Sequence, residues 1–121
     1  MADTFNNSIQ RDISMVRGDT LSFGFQIQGL AGERPDAIYF SCKEHLEDET
    51  FIFSISLEDG ISERSYDQGT DTLTFGVRVA PELTADVAFG KYFYDLKIEI
   101  NDDVLTLMKG KLSIEWEVKD E

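Results

Sequence analysis

Apolar and polar residues alternate with a period of two over most of the chain. Leu21, Phe23, Phe25 and Ile27 are separated by Ser22, Gly24 and Gln26, and the same phase returns in Ile38, Phe40 and Cys42. It continues in Phe51, Phe53, Ile55 and Leu57, and then in Leu73, Phe75, Val77 and Val79. Tyr92, Tyr94, Leu96, Ile98 and Ile100 form another such segment, and Leu112, Ile114, Trp116 and Val118 the last. Successive side chains of a strand point to opposite faces, so a two-residue period with a polar opposite phase marks a strand buried on one side. The pattern predicts half-buried antiparallel strands in all six segments. A weaker segment from Ile9 to Met15 predicts a further strand at the start.

Turn chemistry falls between these segments. Gly29-Leu30-Ala31-Gly32 with Pro35 separates the second predicted strand from the third, and Glu44 to Glu49 is a charged connection. Glu58-Asp59-Gly60 and Asp67-Gln68-Gly69 are tight-turn sequences, and Asn101-Asp102-Asp103 closes a hairpin. Only Pro81 to Phe89 has room for a helical turn, with Pro81 at its first position, where no N–H is needed. About seven or eight strands in a single domain of 121 residues predict a β-sandwich, with a closed barrel as the alternative.

One register stays open. Val104, Thr106 and Met108 share the phase of Leu112 and Trp116, whereas Leu105 and Leu107 have the opposite one. A continuous strand turns both leucines outward; an extra residue near Gly110 shifts the phase and buries them. Burying two leucines is worth about 3–6 kcal/mol, which favours the bulge.

Charge narrows the partners. Eleven basic residues stand against 24 acidic ones, a net charge of −13. That field opposes nucleic-acid phosphates and anionic membrane surfaces alike, so neither is expected as a partner. A basic partner surface would be favoured instead. The amino terminus lacks a basic start and an apolar stretch, so no secretion signal is expected, and the Asn6-Asn7-Ser8 triplet reads as chance. The longest uninterrupted apolar run, Ala37 to Phe40, is far too short to span a bilayer. The expectation is a protein made in a cytoplasm and soluble there.

Catalytic chemistry finds little to work with. Cys42 is the only cysteine, so no internal disulfide can form, and its phase with Ile38 and Phe40 predicts a buried thiol. The single histidine, His45, lies in the acidic connection without a second histidine or a cysteine nearby, which predicts a solvated loop residue. The glycines fall singly at turns and form no phosphate-binding loop. Asp67 with Asp71, or Asp102 with Asp103, could offer oxygen ligands to calcium, but neither stretch has the spacing of a dedicated calcium loop. No catalytic residue, cofactor or metal is therefore expected.

Two resemblances sharpen the picture. Gly90-Lys91-Tyr92-Phe93-Tyr94 follows the connection from Leu83 to Phe89 and resembles the E-to-F corner of immunoglobulin-like sandwiches. There a tyrosine at the start of strand F bonds back to the connecting backbone, and Tyr92 matches it as a structural corner. Tyr94 stands where a disulfide-bearing domain has cysteine, so the resemblance implies an immunoglobulin-like antiparallel β-sandwich without a disulfide, spanning residues 1–121. The wider pattern resembles a small family of phage and prophage tail proteins, in particular the amino-terminal immunoglobulin-like domain of siphophage upper baseplate proteins. The matching residues are Arg17-Gly18-Asp19-Thr20 leading into Phe23 and Phe25, then Asp36-Ala37-Ile38 with Phe40, Cys42 and Lys43. Gly90, Tyr92, Tyr94-Asp95 and Lys97-Ile98 continue the series, followed by Thr106-Leu107 and Gly110-Lys111-Leu112 with Ile114. This covers the chain from about Met15 to Val118.

The resemblance implies a non-catalytic structural module of a virion tail or baseplate, assembled in a bacterial cytoplasm. Its partners would be other tail proteins or further copies of itself, and Gly18-Asp19 and Gly110-Lys111 would be structural turns. In a sandwich of this topology strands C, F and G are neighbours. Their outward positions, Tyr39, Phe93 and, in the continuous register, Leu105 and Leu107, make the candidate interaction face. The alternative is a module binding a small ligand such as carbohydrate. That reading needs an exposed aromatic platform, and the inward phase of Trp116 counts against it.

Overall fold

The alternating segments pair as strands in a computed structural model that describes residues 9–116. These are β1 (Ile9–Gln10), β2 (Ile13–Val16), β3 (Leu21–Gln28), β4 (Ala37–Lys43), β5 (Phe53–Leu57), β6 (Gly60–Asp67), β7 (Thr72–Val79), β8 (Gly90–Ile100) and β9 (Asp103–Glu115). Val118 and the Asn6-Asn7-Ser8 triplet lie outside the described residues. The hydrogen-bonded order is β1-β9-β8-β4-β5-β6-β7-β3, with β2 also on β9. The sheet is mixed rather than purely antiparallel as expected, because β1 and β2 run parallel to β9 and the start of β6 runs parallel to the end of β5.

The sheet curls. Phe23 of β3 meets Phe40 of β4 edge-on at 5.3 Å, although three other strands separate β3 from β4 in the hydrogen-bonded order. In the tight β5–β6 junction Glu58 has φ 70° and Gly60 has φ 104°, and the second value is one that glycine reaches without strain. The enclosed core holds Ile38, Phe40, Cys42, Phe75, Leu96, Ile98 and Leu112, all on the phase that the alternation marks as inward. Burial pushes the Cys42 thiol up to about 12, because an ionised sulfur there would lose its water. The connection from Pro81 to Phe89 contains one turn of 3-10 helix, Pro81–Leu83, and no α-helix occurs among the described residues.

Long-range polar ties hold the connections to the sheet. Asp71 accepts from the backbone N–H groups of Ala31 at 2.7 Å and Gly32 at 3.0 Å and from the Tyr66 hydroxyl at 2.8 Å. The Tyr66 bond, then the Ala31 amide, holds this carboxyl below the usual carboxylate range. Asp71 thereby clasps the β3–β4 connection, and Asp67 accepts from the Gly69 N–H at 2.9 Å, so both serve turn geometry. Gly18 N–H donates to the fully buried Thr84 hydroxyl at 3.0 Å, which seats the turn after β2 on the connection before β8.

Several expectations are corrected by position. Phe51 and Trp116 carry the inward phase but are 51% and 64% exposed. Both lie just beyond their strands: β5 starts at Phe53, and the last β8–β9 pair is Gly90 with Ile114. Phase has no meaning where the ladder has ended. The stretch from Gly60 to Asp67 is a whole strand that alternation missed, because its register shifts between Glu63 and Ser65 and breaks the two-residue period.

Candidate docking face

The bulge in β9 decides what faces outward. Leu96 pairs with Met108, but the next residue, Lys97, pairs with Thr106, so Leu107 is the extra residue. The bulge therefore exists, several residues before the Gly110 position expected for it. Leu105 comes to lie opposite Ile98, and both Leu105 and Leu107 pack half-buried against the core, while Val104 is exposed. The two leucines are thus separated from Tyr39 and Phe93.

Past the bulge, the outward residues of β4, β8 and β9 fall into rows. Lys43 pairs with Phe93, which pairs with Lys111; Ser41 pairs with Asp95, which pairs with Lys109; Tyr39 pairs with Lys97. Next to β4, Ser54 of β5 pairs with Ser41, and their hydroxyls bond at 2.8 Å. Three adjoining shallow hollows of about 230, 360 and 370 Å³ run across this surface. Tyr39, Phe51 and Phe93 supply their aromatic walls, and Leu46, 69% exposed, stands at the rim.

The lining of the hollows is basic although the chain is acidic and the acidic Glu44–Glu49 connection borders it at Leu46. Lys43, Lys97, Lys109 and Lys111 line the hollows against the carboxylates of Asp12 and Asp95. Four of the six lysines of a chain of net charge −13 are thereby gathered in one place. Asp95 lies 3.7 Å from the Lys97 ammonium, and the Lys43 ammonium sits 5.1 Å above the Phe51 ring. The alternation contained these lysines, all at outward positions, but only the pairing of β4, β8 and β9 brings them together.

The corner and the edge of this face are pinned by two tyrosines. Tyr92 donates its hydroxyl to the carbonyl of Ala88, four residues upstream, at 2.5 Å. Tyr94 donates to the Arg11 carbonyl, also at 2.5 Å, and so ties the β1–β2 junction to β8. Gly110 lies directly under that junction, where the Arg11 N–H reaches Lys109 O at 3.0 Å and Asp12 accepts from Lys111 N–H at 3.1 Å.

The residues with catalytic or ligating chemistry are elsewhere. Cys42 is buried on the inner side of β4. His45 is exposed in the connection after β4, with its Nδ1 3.5 Å from Asp48, and Glu44 stands beside them as an exposed acidic cluster. No helix among the described residues is long and apolar enough to cross a membrane. No family model matches this chain, and no curated protein matches it.

Proposed function

We propose that this chain is a non-catalytic assembly module of a phage or prophage tail, built as an immunoglobulin-like β-sandwich that docks through the outer face of β4, β8 and β9. The pairings β6-β7-β3 and β9-β8-β4 agree with the D-E-B and G-F-C orders of that fold, and the Tyr92–Ala88 bond agrees with its tyrosine corner. The observation that carries docking is the outward Tyr39, Phe51 and Phe93 on one face that is otherwise polar. Aromatic side chains in shallow hollows are the usual anchors of protein interfaces. The tail assignment itself rests on the motif resemblance.

Location tests it. An antibody raised against the purified protein is applied with gold label to particles sedimented from an induced culture of the source bacterium. Label on tails or baseplates is expected; label absent from particles overturns the assignment. A second reading, carbohydrate binding, is favoured by the same aromatics lying beside Ser41, Ser54 and Asp95. A glycan panel that raises the melting temperature by several degrees would establish it in place of docking.

A further inference from the structure

We infer that the occupant of the β4–β8–β9 face is an acidic polypeptide segment of a partner protein, an inference that rests on the docking reading and names the chemistry of the partner. The charge arrangement carries it. A basic partner is what the net charge of the whole chain favours, yet the surface that offers aromatic anchors is the one where Lys43, Lys97, Lys109 and Lys111 outnumber Asp12 and Asp95. Ionic screening acts over about 8 Å at physiological salt, so a docked segment responds to the charges within that reach more than to the total.

Geometry narrows the occupant further. The hollows adjoin one another across the strands, from the Ser41–Lys43 end of β4 to Lys109 and Lys111 of β9, which suits an extended chain better than a compact small molecule. A second copy meeting the same face by a two-fold axis would set one lysine-rich lining against another, four lysines to two aspartates on each side, and an excess of like charge across an interface is disfavoured. Carboxylates of the docked segment would pair with the ammonium groups, while its apolar side chains settle on Phe51 and Phe93.

The probe is a fluorescent 20-residue glutamate-rich peptide, titrated into the full chain by anisotropy, with amide chemical shifts locating the contact. Binding is expected at low salt, with shifts concentrated in β4, β8 and β9. The double substitution Lys97→Gln, Lys109→Gln removes two exposed cations and is expected to weaken binding about tenfold. Arg78→Gln, exposed on β7 away from this face, is expected to leave it within about twofold. Equal losses in both variants, or no binding, overturn the inference. A sulfated oligosaccharide or a DNA oligomer bound in preference to the peptide also overturns it. So does a solution mass that rises with concentration and falls on Lys97→Gln, Lys109→Gln, since that makes the occupant a second copy. Gold-labelled tails with no peptide binding would leave the assembly reading standing and remove only the acidic partner.

Discussion

Gly110→Ala tests whether the β1–β2 junction is built around a missing side chain. A Cβ at Gly110 would overlap the Arg11 carbonyl oxygen and stand 2.8 Å from its carbon and 3.2 Å from Asp12 Oδ1. The obstacle is backbone, so relief requires the junction to lift from β9. Lifting it endangers three bonds: Arg11 N–H to Lys109 O, Lys111 N–H to Asp12, and the Tyr94 hydroxyl to Arg11 O. At about 0.5–1.5 kcal/mol each, and with the Tyr94 hydroxyl stranded in a buried position, the cost is about 2–4 kcal/mol. The lower chain entropy of unfolded alanine returns about 0.4–1 kcal/mol, leaving about 1–3.5 kcal/mol. Urea unfolding followed by circular dichroism would show this as a lower midpoint at unchanged slope. Gly76→Ala is the control. The three atoms nearest its added Cβ all belong to the guanidinium group of Arg64, with Nη2 at 2.8 Å, and that exposed side chain can swing aside. The reasoning is refuted if Gly110→Ala unfolds within about 0.5 kcal/mol of the unmodified protein, or if the two substitutions cost the same.

Three further outcomes follow from the geometry. Tyr92→Phe removes the bond to Ala88 O and should lower stability by about 1 kcal/mol in the same urea assay, with the fold retained. Asp71 has its pKa depressed in the folded state by Tyr66 and two amides, so its contribution is present above the unfolded pKa and lost as pH falls through the folded one. Asp71→Asn should therefore flatten the acid limb of a stability–pH curve while leaving the neutral-to-alkaline limb parallel to that of the unmodified protein. The Cys42 thiol, raised to about 12, stays protonated when folded but ionises near its ordinary range when unfolded, so its contribution is lost as pH rises above that range. A thiol reagent at pH 8 should leave Cys42 unmodified in the native protein and label it stoichiometrically in denaturant; rapid native labelling would contradict its burial.

Alternation exposed most of the strands because it is a local property: the pleat sends neighbouring side chains to opposite faces whatever the strand pairs with. Cys42, Phe40 and Ile38 are readable as core for that reason, and Asn101-Asp102-Asp103 is readable as a hairpin turn from its residue types, Asn101 and Asp102 taking the positive φ, 52° and 69°, that such residues tolerate. The misses share a cause. The register shift at Arg64 breaks the alternation of β6, and the outward residues of β9 depend on Leu107 being the extra residue. A bulge depends on which partner strand lies opposite and where, which residue spacing alone does not encode.

The same division separates the chemistry of the chain from its placement. Composition by itself determined a strongly acidic chain with a single cysteine, and the two-residue period determined its β strands and the inward phase of that thiol, since one is a sum over residues and the other a relation between neighbours in sequence. Only tertiary structure decided that β9, β8 and β4 lie side by side, that Gly110 is covered by Arg11, and that four lysines from three strands share one surface with Phe51 and Phe93. Those facts join residues up to about a hundred positions apart, as in the Asp12–Lys111 bond. They are set by the energy of closing the whole sheet on one core, which no local window of the sequence contains.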